Sequence, residues 1–320
     1  MGGWDVLLSP VILFFVLGAL AAFARSDLSI PESIAKGMSL YLMASIGLKG
    51  GVQVAAAGLS VEILLAAVAG LALSFLIPVP AFLLLRRAGR LDPINAAAVA
   101  AHYGSVSVVT FVTGVETLSA AGMPPAGYMV AVMALMETPA IIIGLLLARR
   151  TSGAALPTRG GLFHETVLNG SVVLLLGSFL IGFITGKEGF APVAPVFDTA
   201  FRGVLCLFLL DMGLIAARRL QDARALTART AALAVLLPIC NGTIGVLTGA
   251  LIGLDTGSAA ALGILAGSAS YIAVPAVIRL TLPQADPGLY LGMSLAVTFP
   301  FNITLGIPLY TMLAERIVGS

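Results

Sequence analysis

One short motif occurs twice in this sequence, each time inside a long apolar stretch. The motif is Gly-Ser-x-Ser, at residues 104–107 and again at residues 267–270. Glycine permits a backbone conformation that ends a helix, and serine caps the helix that follows. Each stretch is therefore predicted to contain two half-helices with a break between them. The N-terminus of a half-helix offers unpaired N–H groups and a partial positive charge, which favour the binding of an oxyanion.

The two motifs also allow a purely structural interpretation. In it, the small residues let helices pack closely, and each serine bonds to the preceding turn of its own helix. One motif alone would favour that interpretation, whereas two copies at equivalent positions of a repeat favour a small anion held by backbone N–H groups and serine hydroxyls. The predicted ligands are Gly104, Ser105, Ser107, Gly267, Ser268 and Ser270.

Four polar side chains in other apolar stretches are candidates for binding sodium. Carboxylates inside a membrane are costly and usually functional, and hard oxygen ligands together with backbone carbonyls suit a small cation or a proton relay. The alternative is a carboxylate that is hydrogen-bonded within a helix interface, or an asparagine that only satisfies a carbonyl freed by a nearby proline. The candidates are Asp211, Glu137, Thr298 and Asn302.

The composition indicates a membrane protein. Of 320 residues, 59% are hydrophobic and 10% are charged, against about 25% charged in an ordinary soluble domain. This excludes water-soluble enzymes and proteins that bind nucleic acid, because a soluble fold of this size has no interior for so much apolar surface. The sequence contains no activated nucleophile, metal cluster or nucleotide-binding loop. We therefore expect neither an enzyme nor a cofactor, with sodium serving as a co-substrate.

Run length predicts helices and not barrel strands, because each apolar stretch is close to or longer than the ~20 residues that span a bilayer. Thirteen of the 17 basic residues fall in the odd-numbered loops, which places those loops in the cytoplasm and both termini outside. The ten predicted spans are approximately 8–25, 37–57, 60–85, 92–120, 124–148, 164–186, 199–217, 226–253, 255–281 and 286–316.

The two halves of the chain resemble one another. Residues 36–51 align with 202–217, and residues 92–107 align with 255–270. Since each half contains five spans, the second half enters the membrane from the opposite side, and an inverted repeat is a transporter architecture. The sequence predicts an all-α polytopic membrane protein with a 5+5 inverted repeat and two broken helices that cross near the midplane. The predicted units are a first repeat (1–150), a cytoplasmic linker (151–162) and a second repeat (163–320).

Three segments carry a resemblance to a known family. YLMASIGLKGGVQ (41–53), AAHYGSVSVVTF (100–111) and the long segment 267–310 resemble the sodium-dependent bicarbonate transporters first known from cyanobacteria. The resemblance implies bicarbonate uptake across the bacterial inner (plasma) membrane, an elevator-like motion, a homotrimer, and bicarbonate bound at the helix breaks. It also implies regulation by a small PII-like protein on the cytoplasmic face. The short central linker, which carries little charge, departs from the pattern that such regulation would need.

These observations together predict a secondary active symporter for a small inorganic anion, specifically bicarbonate driven by sodium. Three alternatives stay open at this point: a carrier of a larger organic anion such as a carboxylate, a passive anion channel, and a membrane sensor without flux. The tight Gly-Ser-x-Ser pair favours a small ligand. A sensor would need a soluble output domain, and no sizeable soluble segment is present.

Overall fold

The computed structural model describes residues 9–58, 60–152, 170–222 and 226–319. These residues form helices joined by short connections and contain no strand, which confirms the predicted all-α class. Most of the predicted linker, residues 153–162, lies outside the described residues. The division into two repeats and a linker therefore stays a prediction.

Sixteen helices are numbered here in chain order along the described residues. Two π-helical turns, Gly292–Thr298 and Asn302–Gly306, join the last three helices into one continuous stretch, Pro287–Val318. The helices are α1 (Pro10–Phe23), α2 (Glu32–Ala57), α3 (Val61–Leu76), α4 (Pro78–Arg87), α5 (Pro93–Gly104), α6 (Val108–Ala120), α7 (Met129–Glu137), α8 (Pro139–Ser152), α9 (Gly170–Phe190), α10 (Phe201–Asp222), α11 (Ala228–Leu251), α12 (Thr256–Ala266), α13 (Ala273–Thr281), α14 (Pro287–Leu291), α15 (Phe299–Phe301) and α16 (Ile307–Val318).

Within the described residues, seven helical stretches are long and apolar enough to cross a membrane. Three predicted spans take other forms: 8–25 contains the 14-residue α1, 37–57 lies within the 26-residue α2, and 255–281 is divided between α12 and α13. A multi-pass helical protein is thus confirmed, while the count of ten spans stays a prediction. The seven stretches are Val61–Arg87, Pro93–Ala120, Met129–Thr151, Val173–Val193, Pro195–Gln221, Ala228–Leu251 and Pro287–Val318.

The helices that lead into the two breaks begin in the same way. Asp92 caps α5 by accepting hydrogen bonds from the amides of Ile94 and Asn95. Asp255, which aligns with Asp92 in the predicted repeat, caps α12 by accepting from the amide of Ser258. An aspartate at this position satisfies amides that have no partner within the helix. The equivalent caps fix the direction in which each helix approaches its break.

Both predicted breaks are present. α5 ends at Gly104 and α6 begins at Val108, with Ser105 in an extended conformation between them (φ −88°, ψ 175°). α12 ends at Ala266 and α13 begins at Ala273, so the second break is longer. Each break therefore leaves one helix C-terminus and one helix N-terminus inside the protein.

Small residues bring the first helix into close contact with α10. A Cβ atom added to Gly213 would lie 2.9 Å from the amide nitrogen of Ala19, and one added to Gly18 would lie 3.1 Å from that of Leu214. Contact between backbones at this distance leaves no space for any side chain, which is the packing that glycine provides in membrane helices. α1 and α10 thus form a tightly joined pair.

Candidate functional site

The two breaks lie against each other and are joined by hydrogen bonds. The amide of Ser270 donates to the carbonyl oxygen of His102 at 2.9 Å. The amide of Ser107 donates to the hydroxyl of Ser268, also at 2.9 Å. These bonds join segments that are more than 160 positions apart in the chain. The tertiary fold therefore assembles one site from both Gly-Ser-x-Ser motifs.

A narrow cleft opens where the N-termini of α6 and α13 meet. The hydroxyl of Ser107 caps α6, accepting from the amide of Thr110 at 3.2 Å, and the hydroxyl of Ser270 accepts from the amide of Val274 at 3.4 Å. The amides of Val108 and Ala273, the first residues of the two helices, make no hydrogen bond within the described structure. The lining residues are Ser39, Met43, Val106, Ser107, Val108, Glu137, Ser270, Tyr271, Ile272 and Ala273.

The other two motif serines hold the breaks in shape. The Ser105 hydroxyl donates to the carbonyl oxygen of Glu137 at 2.9 Å. The Ser268 hydroxyl donates to the carbonyl oxygen of Leu265 at 2.8 Å, which is a bond to its own preceding turn. Neither residue lines the cleft. In this conformation the cleft therefore presents Ser107, Ser270 and backbone amides to a ligand, and the hydroxyls of the other two serines are occupied.

The two motif glycines pack against proline kinks. A Cβ atom at Gly104 would collide with the ring of Pro78, and one at Gly267 would lie 3.0 Å from the carbonyl oxygen of Pro238 and 2.7 Å from the hydroxyl of Tyr310. Both positions are inside the protein, so neighbouring side chains have no space to give way. Glycine is needed at each break because another helix passes directly against it.

Glu137 is the only candidate carboxylate among the residues that line the cleft. It is 5% exposed and lies at the end of α7, next to the interruption at Pro139. Its carboxylate makes no hydrogen bond or ion pair with the described residues, yet its oxygens are not fully enclosed. The cleft contains no lysine or arginine. An anion and the Glu137 carboxylate can share this space only if a cation or a proton compensates one of the charges.

The cleft is small in this conformation. The space that the centre of a water molecule can occupy measures ≈ 10 Å³, which is about the room that one water needs. A bicarbonate ion, with three oxygens, needs more. An anion of that size would fit here only if the two helix ends, or the side chains of Met43 and Tyr271 that border them, moved apart.

Thr298 lies outside the cleft and donates a hydrogen bond to a carbonyl oxygen that a proline leaves without its helical partner. Pro238 has no amide hydrogen, so the carbonyl oxygen of Ala234 lacks its usual partner in α11. The Thr298 hydroxyl donates to that oxygen at 2.6 Å and lies 2.7 Å from the hydroxyl of Tyr103. Since the only hydrogen of the Thr298 hydroxyl is used, Tyr103 is the donor of the second bond.

Asn302 also lies outside the cleft, at the second break. Its side-chain amide donates to the carbonyl oxygen of Gly267 at 2.9 Å, and its side-chain oxygen accepts from the Tyr310 hydroxyl at 3.2 Å. Asp211 lies on α10, is 4% exposed, and has one carboxylate oxygen buried without a partner. Of the four sodium candidates, therefore, only Glu137 lies in the cleft.

Two polar residues of the cleft were not anticipated from sequence. Ser39 comes from α2, and Tyr271 lies within the second break, where its ring packs against Phe299 with centroids 5.1 Å apart. Nothing in the local sequence around Ser39 distinguishes it from other serines in apolar helices. Tyr271 directly follows the second motif, and its position next to that motif could have indicated that it lies at the site. Among the described residues there is no group of three or more His, Cys, Asp or Glu side chains that could hold a metal ion.

A multi-pass helical bundle with two interrupted helices whose N-termini share one cleft is typical of membrane permeases. The chain belongs to the Na+-dependent bicarbonate transporter superfamily, whose family model matches residues 10–315, and this membership makes it a permease and not an enzyme. This match confirms the resemblance carried by residues 41–53, 100–111 and 267–310. A comparison with curated proteins found no match to the chain.

Proposed function

We propose that this protein takes up bicarbonate together with sodium across the bacterial inner membrane. The observation that carries the proposal is the shared cleft, in which the N-termini of α6 and α13 meet beside Glu137. Free amides at Val108 and Ala273 would donate to the anion, with Ser107 and Ser270 beside them. Oriented amides of this kind hold an oxyanion without a basic side chain.

Sodium completes the charge balance of the cleft. An anion next to the Glu137 carboxylate is repelled in a medium of low dielectric, and one sodium ion between them removes that repulsion. A loaded site with less net charge also costs less to move through the apolar interior. We therefore place sodium beside Glu137. Thr298 and Asn302 would become ligands only after giving up their present hydrogen bonds, and Asp211 would serve a separate cation.

The proposed architecture has ten spans in two inverted repeats. Two pairs of equivalent contacts support it: the aspartate caps of α5 and α12, and the motif glycines packed against proline kinks. The two breaks are also hydrogen-bonded to each other. In an elevator motion, the broken helices would move together relative to the α1–α10 pair. The homotrimer and the PII-like regulator are proposed from the family resemblance.

Transport is tested by measuring the uptake of labelled bicarbonate into proteoliposomes. An inward sodium gradient is expected to drive accumulation above the external concentration, and a potassium gradient of equal size is not. Equal uptake under the two gradients would overturn sodium coupling. Equilibration that never exceeds the external concentration would instead indicate a passive channel. A panel of carboxylates added as competitors shows whether bicarbonate is the preferred anion.

A further inference from the structure

A second opening lies away from the cleft, at the other end of α6. It is a groove of ≈ 340 Å³ between the start of α1, the end of α6 and the start of α10. This volume falls within the ~300–1,000 Å³ of sites that hold small molecules. Most of its surface is apolar, and the apolar lining comes from Pro10, Val11, Ala120, Ala121 and Cys206.

The rim of the groove carries two opposite charges side by side. The Nε of Arg202 donates to a carboxylate oxygen of Glu116 at 2.6 Å, and the two side chains are 66% and 12% exposed. An arginine has five N–H donors, and this bond uses one of them. The terminal N–H groups of Arg202 and the second oxygen of Glu116 therefore remain open to a further partner.

The position of the groove matches the headgroup level of a membrane. The ends of three helices meet there: α1 begins at Pro10, α6 ends at Ala120 and α10 begins at Phe201. The distribution of basic residues among the loops assigns these ends to the outer face. An amphiphile in the outer leaflet would present its head to the charged rim and its chain to the apolar lining.

We propose that this groove binds one phospholipid with a zwitterionic, primary-ammonium head, as in phosphatidylethanolamine. Its phosphate accepts hydrogen bonds from the terminal N–H groups of Arg202, for which a planar guanidinium is well suited. Its ammonium group lies at Glu116, and its acyl chain follows the apolar lining. The lipid contacts α6, which carries the first break, and also the α1–α10 pair. It therefore lies at the boundary between the site and the rest of the bundle.

Gly203 allows the groove to be filled without disturbing the backbone. It lines the groove, and a Cβ atom added there meets no atom within 4 Å. Gly37, its counterpart in the predicted repeat, is equally open but lies elsewhere. Gly203→Trp therefore blocks the groove, and Gly37→Trp is the matched control.

The test uses the full-length protein in vesicles that contain equal amounts of phosphatidylethanolamine, phosphatidylglycerol and phosphatidylcholine. After extraction in mild detergent, native mass spectrometry counts the lipids retained by each chain. We expect one phosphatidylethanolamine per chain, preferred about tenfold over the other two lipids, as hydrogen bonds to charged groups would give. Gly37→Trp should retain it and Gly203→Trp should lose it. Arg202→Ala should weaken retention of all three lipids, because each has a phosphate, whereas Glu116→Gln should abolish the preference for the primary ammonium head.

Three results would overturn the proposal. Equal retention by wild type and Gly203→Trp would place the lipid elsewhere. A change of oligomeric mass in Gly203→Trp, with lipid retention unchanged, would mean that a second copy of the chain covers the groove. A large gain of lipid after deletion of residues 2–8 would mean that this segment normally occupies it.

Discussion

At the scale of single residues, backbone amides and serine hydroxyls have different tasks in the two breaks. The hydroxyls of Ser105 and Ser268 donate to carbonyl oxygens and so stabilise the interrupted backbone. The amides of Val108 and Ala273 are among the backbone groups of the breaks that have no acceptor within the described residues. If the anion binds here, amides provide most of its hydrogen bonds, and the serines act chiefly through the shape that they give the breaks.

The contribution of one amide can be tested directly at Val108. Val108 is the first residue of α6, where proline is tolerated because the missing N–H has no helical partner. Ser107 before it is already extended (φ −107°, ψ 111°), as a residue before proline prefers. Val108→Pro should raise the KM for bicarbonate about tenfold, since one hydrogen bond to a charged group is lost, and leave the Tm unchanged.

Val108→Ala is the control for this experiment, because it shortens the side chain and keeps the amide. Its KM should stay close to that of the wild type. A Val108→Pro variant that transports with the wild-type KM would show that this amide does not contact the anion.

Glu137→Gln tests the proposed sodium position. The amide keeps the size of the side chain and removes its charge, so the sodium concentration for half-maximal uptake should rise about tenfold or more. Glu62→Gln, at an exposed carboxylate near the start of α3, should leave it unchanged. If Glu137→Gln and Glu62→Gln have the same sodium dependence, sodium does not bind at Glu137.

At the scale of helices, prolines interrupt the backbone and polar side chains from neighbouring helices repair the loss. Pro238 leaves the carbonyl oxygen of Ala234 without an amide, and Thr298 from the last stretch donates to it. The Ser74 hydroxyl donates to the carbonyl oxygen of Met136, which lies in the last turn of α7 where that helix ends before Pro139. Buried backbone groups need such partners because no water reaches them in the membrane.

Thr298→Val should destabilise the protein, because the carbonyl oxygen of Ala234 and the hydroxyl of Tyr103 both lose their partner. A cost of about 1–3 kcal/mol is expected for leaving a buried polar group unsatisfied, and a lower Tm in detergent measures it. Thr248→Val is the control, since its hydroxyl donates to Ile244 within a regular helical turn. An unchanged Tm in Thr298→Val would show that the hydrogen bond to the carbonyl oxygen of Ala234 does not stabilise the protein.

At the scale of the whole molecule, charges separate the two faces of the bundle. Two of the four basic residues assigned to the outer face are in ion pairs: Lys49 with Asp198 at 2.7 Å, and Arg202 with Glu116 at 2.6 Å. Each of these two cations therefore has an acidic partner beside it. Thirteen of the 17 basic residues are assigned to the opposite face, which is the distribution expected for a cytoplasmic side.

Cysteine labelling in intact cells tests this orientation. In a background of Cys206→Ser and Cys240→Ser, Ala56→Cys at the end of α2 should react with a membrane-impermeant maleimide. Ala88→Cys, directly after α4, should react only after the cells are permeabilised. Both positions are exposed in the structure. The opposite pattern of labelling would reverse the predicted orientation.

The sequence by itself determined the class of protein and the position of the breaks. Long apolar stretches require helices in a bilayer, because every backbone group must find a partner within its own segment. Glycine followed by serine interrupts such a stretch through local backbone and capping preferences, so residues 104–107 and 267–270 could be recognised without a structure. The family resemblance, also carried by sequence, named the transporter superfamily to which the chain belongs.

Only the tertiary structure decided which of the candidate residues share a cleft. Ser107, Ser270 and Glu137 meet there, whereas Thr298 and Asn302 are bonded to backbone carbonyls of neighbouring segments, and Asp211 lies on α10. A polar side chain that binds a cation and one that hydrogen-bonds a backbone group freed at a kink look alike in sequence, because both are polar residues in apolar helices. They differ in which carbonyls and amides surround them, and that depends on helices distant in the chain.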